Sequence, residues 1–352
     1  MIMSQTQNVA LVAGATGIVG SQLVTALRQQ DWQVIGLTRQ PATSTHDIPF
    51  INVDLLDAQQ SAQALAPLNQ VTHIFYSAWL NAASWREMVE PNVTMLRNLV
   101  VNIDKVAPLR SVSLMQGYKV YGAHLGPFKT PARESDPGVA GAEFNAEQLR
   151  WLSDFQRGKS WHWHALRPGV VGSAVPGNAM NLALSIALYA SLCKSQGLPL
   201  RFPGSSLAWH SMVDHTDGGL LAQATLWAAN APGAHNQAFN VNNGDLWRWS
   251  ELWPAIARWF ELECAPVVNL SFHQLFQDYR DQWQNIAEQY QLIEPDILQL
   301  NDGQFADFVF GWDYDMFGDG SKLRRAGFSG YQATDEMFFT LFAQLRAARI
   351  IP

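Results

Sequence analysis

The stretch "NVALVAGATGIVGSQLVTALRQQ" near the amino terminus restricts the fold of this 352-residue chain more than any other. Asn8 to Ala13 is an aliphatic run with the length and composition of a buried strand. Directly after it, Gly14, Gly17 and Gly20 stand at G-x-x-G-x-x-G spacing. The next segment puts Val19, Leu23 and Leu27 four residues apart, on one face of a helix. A strand that turns through glycines into a helix brings bare backbone and the positive end of a helix dipole to one point. Glycine serves the tight turn, the close approach to a pyrophosphate and the packing of helix on strand. The chain therefore opens with a dinucleotide-binding unit.

The same rhythm continues through the first half of the chain. "WQVIGLT" from Trp32, "THIFYSA" from Thr72, "SVSLMQ" from Ser111 and "WHALRP" from Trp163 read as further strands, separated by amphipathic segments. Alternation of this kind implies right-handed crossovers and a parallel sheet covered on both faces. The fold class is α/β: a Rossmann-type doubly wound sheet over residues 1–172, then a smaller, mainly helical substrate-binding lobe over 173–352. The lobes interleave, because "QAFNVNNGD" (Gln237 to Asp245) reads as a strand that returns to complete the sheet.

The end of the second strand selects the coenzyme. An acidic residue there would bind the ribose 2′-hydroxyl of NAD, whereas this chain has "GLTRQP", with Arg39 placed for the 2′-phosphate of NADP(H). Asp54 and Leu55, after the third strand, fall where adenine contacts arise, with a helix cap as the alternative role for Asp54.

Bulk properties narrow the partners. The formal charge of −7 with no basic cluster argues against nucleic acid or an anionic membrane surface. The apolar run Leu182–Cys193 is too short to span a bilayer, and the amino terminus lacks a basic leader and cleavage site. Two cysteines, Cys193 and Cys264, read as unpaired thiols of a reducing compartment, so a cytoplasmic soluble protein is expected. The oligomeric state stays open, a homodimer included.

Several stretches in order along nearly the whole chain, among them "GATGIVG", "VTHIFYSAW", "EPNVTMLRNLV", "GYKVYGAHLGPF", "RPGVVG" and "QAFNVNNGDLWRWSELWP", resemble the progesterone 5β-reductase and iridoid synthase-like short-chain dehydrogenases. The resemblance implies an NADPH-dependent reductase that transfers a hydride to the β-carbon of an α,β-unsaturated carbonyl compound. By position it implies Thr16, Gly17 and Ile18 at the phosphates, beside Gly14, Val19 and Gly20, and Ser77, Ala78 and Trp79 along the nicotinamide side. Val171, Asn178 and Met180 follow the arginine-proline pair near the nicotinamide, and Lys119 matches the catalytic lysine, which also contacts coenzyme. The family's catalytic tyrosine lies in a segment that corresponds to Gly141–Trp151, where Asn145 and Ala146 stand in place of two tyrosines.

The proton donor is thus open between three arrangements: Tyr121 replaces the tyrosine, Lys119 or a water it holds donates, or the site binds coenzyme and turns over poorly. If the chain after Gly117 is extended, Lys119 and Tyr121 share a face and Tyr118 faces away. Trp79, Tyr118, Phe128 and Asn145 are candidates for the wall around an apolar carbonyl substrate, with plain packing as the alternative for Tyr118 and Phe128. A sugar-nucleotide epimerase or dehydratase is the competing class, disfavoured by Arg39 and by the absence of the usual tyrosine-lysine spacing. His162 and His164 in "WHWH" lack partners for a metal set, "DYDMFGDG" departs from a calcium loop at Phe317 and Arg324, and "HSMVDHTDGG" (His210–Gly219) reads as a surface connection with Asp214 or Asp217 as a helix cap.

Overall fold

The computed structural model describes residues 7–39, 48–139 and 143–352. The first six residues of the amino terminus, and Gly141 and Ala142 of the tyrosine-motif segment, lie outside the described residues. Parallel strands β1 Val9–Ala13, β2 Gln33–Thr38, β3 Phe50–Asn52, β4 His73–Tyr76, β5 Ser111–Met115 and β6 His162–Pro168 form the central sheet with an edge strand, Gln237–Val241. The spatial order is edge strand, β6, β5, β4, β1, β2, β3. Chain progression reverses between β1 and β4, so a crevice opens above their carboxyl ends. That is where an open α/β sheet admits a ligand.

Helices α1 Ile18–Gln29, α2 Ala58–Leu65, α3 Val89–Val106, α4 Phe144–Gln156 and α5 Leu182–Ser195 follow in chain order. On one face of the sheet α3 (Leu96, Leu99, Ile103) and α4 (Leu152) pack against Leu11, Ile74 and Val112. On the other, Leu23, Val24 and Leu27 of α1 meet Val12 and Phe75. Every residue of β1 is buried, as a strand covered on both sides requires. The second half contributes more to this domain than its returning strand. Helix Gly218–Asn230 packs on α1 through Ala222, Leu226 and Ala229, since its "GGLLAQATLWAAN" sequence is apolar nearly all round and cannot sit on a surface.

The helical lobe has its own core, in which α5 is buried from Leu182 to Cys193. The rings of Phe202, Trp249, Trp253 and Phe310 meet pairwise at centroid separations of 5.0 to 5.8 Å, so much of the aromatic content is packing. Among the described residues no helix is long and apolar enough to cross a membrane, and no group of three or more His, Cys, Asp or Glu could hold a metal.

After the exposed His210, the His210–Gly219 segment is largely buried rather than a surface connection. Strand His215–Asp217 pairs in parallel with strand Val170–Gly172, and this draws Asp214 and His215 to 1% exposure. Asp217 is the cap of helix Gly218–Asn230, accepting from the Leu220 amide at 2.8 Å. His215 lies among Trp247, Trp249 and Phe338, and neither of its ring nitrogens has a partner. Burial holds its pKa down to about 3, so the folded protein keeps this ring neutral where the unfolded chain would protonate it. Its contribution is present above pH ~6.5 and is lost as pH falls towards 3. Replacing His215 with Phe is expected to stabilise the protein, with a gain about 2 kcal/mol larger at pH 5 than at pH 8. Urea melts of both proteins at the two pH values measure this, and an equal or smaller gain at pH 5 contradicts it.

Candidate active site

The β1–α1 turn lies against the end of β4, and the glycines are what permit this. A Cβ on Gly14 (φ +81°) would come within 2.9 Å of the Ala78 amide nitrogen and the Ser77 carbonyl carbon, and one on Gly20 within 2.0 Å of the Gly14 carbonyl oxygen. Ser77 seals the contact, its amide and its Oγ both donating to the Ala13 carbonyl, at 3.0 and 2.9 Å. Helix α1 begins at Gly17 with no side-chain cap and no acidic residue in its first turn. Its amide groups and dipole therefore face the crevice without an internal partner, a chemistry suited to phosphate.

The crevice is a cavity of about 430 Å³. Gly14, Thr16, Gly17, Ile18, Val19 and Gly20 line it from the glycine turn, Thr38 and Arg39 from the end of β2, and Leu55 from beyond β3. Ser77, Ala78 and Trp79 close it from β4, and Asn178 and Met180 from the loop after strand Val170–Gly172. Arg39 is exposed and has no ion-pair partner among the described residues, which leaves its guanidinium available to a phosphate. The donor set fits a phosphorylated dinucleotide: backbone amides and Thr16 for the diphosphate, Arg39 for an additional phosphate. Asp54 stands outside this wall, its Oδ1 accepting from the Leu56 amide at 2.9 Å, while Asp57 caps α2. Val53 and Leu55, on either side of Asp54, line the crevice.

A second, apolar cavity of about 220 Å³ joins the first along Ile18, Val19, Ser77, Ala78, Trp79 and Met180. Its floor is Met115 to Lys119, at and after the end of β5, together with Pro168 to Val171, at and after the end of β6. Phe144, Asn145 and Gln148 enter from α4, and the helical lobe closes it with Phe305, Phe308, Trp312 and Met316. The lobe residues carried no signal in the sequence, because loops distant in the chain supply them.

The segment after Gly117 is a 3-10 turn, Tyr118–Tyr121, and not an extended run. Lys119 and Tyr121 therefore diverge. Tyr121 turns into the interior, donating to Asn240 Oδ1 at 2.6 Å and accepting from Arg167 Nη1 at 2.9 Å, and it does not line the apolar cavity. Phe128 is likewise outside the cavity wall and packs against the lobe core. Tyr118 borders the cavity, but its hydroxyl donates to Asp214 Oδ2 at 2.8 Å, and burial keeps its pKa well above 10.

Lys119 projects into the cavity with Nζ 5.6 Å from the Trp79 ring and 4.6 Å from the Trp85 ring. Burial lowers its pKa from 10.5, opposed by the carboxylate of Glu143. Glu143 caps α4 through the Ala146 amide (2.9 Å) and accepts from Asn145 Nδ2 (2.7 Å), so Asn145 is tied to the helix cap. One titratable wall residue carried no mark in the sequence. His124 lines the cavity beside Lys119, brought back by Gly122 in the left-handed conformation (φ +88°).

The family model described as a PRISE-like Rossmann-fold domain matches residues 10–352. The chain is 33% identical to the 3-oxo-Delta(4,5)-steroid 5-beta-reductase of Arabidopsis thaliana, over 98% of this chain and 94% of that protein. It is 32% identical to an (S)-8-oxocitronellyl enol synthase of Nepeta racemosa, with the same coverage. Among solved structures, a UDP-glucose 4-epimerase of Thermus thermophilus in complex with NAD superposes at TM-score 0.65, with 20% identity over 97% of this chain and 99% of that one. A UDP-N-acetylglucosamine 4-epimerase of Bacillus cereus superposes at 0.68, with 14% identity over 98% and 99%. The epimerases share the fold; the sequence relationship lies with the reductase and the enol synthases.

Proposed function

The chain belongs to the PRISE-like Rossmann-fold family, and from that premise we propose that it is an NADPH-dependent reductase of small apolar α,β-unsaturated aldehydes or ketones. The observation that carries this reading is the pair of joined cavities, one floored by the bare α1 amides and Arg39, the other apolar with Lys119 in its wall. A bound reduced nicotinamide supplies the hydride. The chain's residues do the rest: Arg39 selects the phosphorylated coenzyme, Ser77 to Trp79 separate its reactive end from solvent, and the apolar wall orients the enone. Negative charge then develops on the carbonyl oxygen, and the Lys119 ammonium is placed to meet it and to deliver a proton.

A nucleotide-sugar substrate is disfavoured by the same wall. Among the described residues Lys119 is the cavity's only lysine or arginine, so no cationic fork meets a diphosphate. The activity is tested by following NADPH oxidation with a panel of short enals and cyclic enones. Coenzyme binding without turnover on any of them would leave a binding protein instead. Replacing Arg39 with Asp is expected to cut kcat/KM for NADPH about 100-fold and that for NADH by less than threefold, since only one coenzyme carries the 2′-phosphate. Unchanged preference in that variant would remove Arg39 from coenzyme selection.

A further inference from the structure

The apolar cavity holds few polar hydrogens that are not already fixed. Ser77 Oγ is bonded to the Ala13 carbonyl, Tyr118 to Asp214, Gln116 Nε2 to the Asn145 carbonyl (2.6 Å), Gln148 Nε2 to the Asn92 carbonyl (2.9 Å), and Asn145 Nδ2 to Glu143. Among the described residues the indole N–H of Trp312, on the lobe side of the wall, has no partner, and beside Lys119 one titratable donor, His124, is uncommitted. Among the described residues His124 has no hydrogen-bonding partner, and its Nδ1 is buried. The imidazole packs edge-on to Trp85 with ring centroids 4.3 Å apart, and Lys119 Nζ lies 4.6 Å from the centre of the same indole. The indole therefore holds both groups at one end of the cavity. The 3-10 turn fixes their spacing, with Gly122 donating to the Lys119 carbonyl at 2.9 Å before the chain reverses into Ala123 and His124.

We propose that His124 is a catalytic residue: its Nε2–H donates a hydrogen bond to the substrate's carbonyl oxygen, sharing with Lys119 the task for which Asn145 is unsuited. The inference rests on the reductase reading above. Burial, and then the charge of Lys119, hold the His124 pKa down to about 4, so at neutral pH the ring is uncharged and carries one N–H. A neutral imidazole is a competent donor and a very weak acid, so it stabilises charge without giving up its proton. The balance is complete with Lys119 alone as the acid. The β-carbon receives the hydride, the π electrons move to form the enolate, the enolate oxygen lies between the two donors, and the α-carbon takes a proton from the ammonium, which water then restores.

The test uses an enolate mimic that needs no turnover. The NADP+-loaded protein is titrated at pH 6.5 with 4-nitrophenol, whose visible absorbance reports the phenolate. The wild type is expected to bind it as the phenolate. His124→Phe is expected to bind the phenolate at least 10-fold more weakly at unchanged NADP+ affinity, and His124→Gln, which keeps a donor, to recover part of the loss. Enone turnover by His124→Phe is expected to fall 10- to 100-fold in kcat with KM within threefold. Phenolate affinity that is absent in the wild type, or equal in His124→Phe, overturns the proposal. A wild type that binds phenolate in a His124-dependent way and reduces no enone overturns the reductase reading and leaves the His124 contact supported.

Discussion

Lys119→Met is expected to lower kcat for enone reduction by two to four orders of magnitude while NADPH affinity changes less than about tenfold. The substitution keeps the length and apolar packing of the stem against Trp79 and Trp85 and removes only the charge and the proton. Among the described residues no other lysine or arginine lines the apolar cavity, so no other cation there can supply the charge and the proton. The pH profile carries a second signature. Burial holds the Lys119 pKa below 10.5, so activity should decline on the alkaline side earlier than an ordinary lysine would dictate. Whatever activity the methionine variant retains should lack that limb. Steady-state rates between pH 6 and 10 decide the matter, and a variant with wild-type turnover removes the lysine from the chemistry.

Asp214→Ala is expected to destabilise the fold by roughly 3–5 kcal/mol, because it strands several buried donors at once. The carboxylate accepts from the Tyr118 hydroxyl (2.8 Å), the Gly318 amide (2.9 Å) and Asn242 Nδ2 (3.2 Å), and it presses on Gly169, where a Cβ would lie 2.4 Å from its Oδ1. Burial raises its pKa to about 7 against those hydrogen bonds, so the folded protein holds a proton there that the unfolded chain releases near pH 4. The associated stability is complete below pH ~4 and is lost as pH climbs through 7. Asp214→Asn keeps the shape and removes the titration. It should be much less destabilising than the alanine variant, and its stability relative to wild type should improve by on the order of 2 kcal/mol from pH 5 to pH 8. Chemical denaturation at both pH values tests this; parallel losses across pH would mean that Asp214 does not titrate in the folded state.

The sheet and its coenzyme crevice were legible because they depend on local rules. Gly14, Gly17 and Gly20 are required where backbone meets backbone, and Arg39 sits a fixed distance beyond a strand that alternation identifies. The apolar cavity was legible at Trp79, Tyr118 and Lys119, which follow strands directly, and at Asn145 on α4, which the family resemblance singled out. Tyr121 was misplaced because a lysine-to-tyrosine spacing of two reads as one face in a strand but as different sides of a 3-10 turn. In the sequence Asp214 and His215 read as surface, because polar residues in a short segment usually are. Their burial arises from pairing with Val170–Gly172, a contact between segments about 45 residues apart in register. Phe305, Phe308 and Trp312 reach the cavity from still farther along the chain, where nothing local distinguishes a wall from a core.

The edge strand Gln237–Val241 lies beside β6 although the whole of α5 and the turns after it intervene in the chain. During synthesis the nascent sheet thus waits with a bare rim of amides and carbonyls until this late piece emerges from the ribosome. Such a rim is a template for pairing with another growing chain. The half of the molecule that closes the apolar cavity thus also supplies the strand that covers this rim, so the sheet and the cavity wall are completed together.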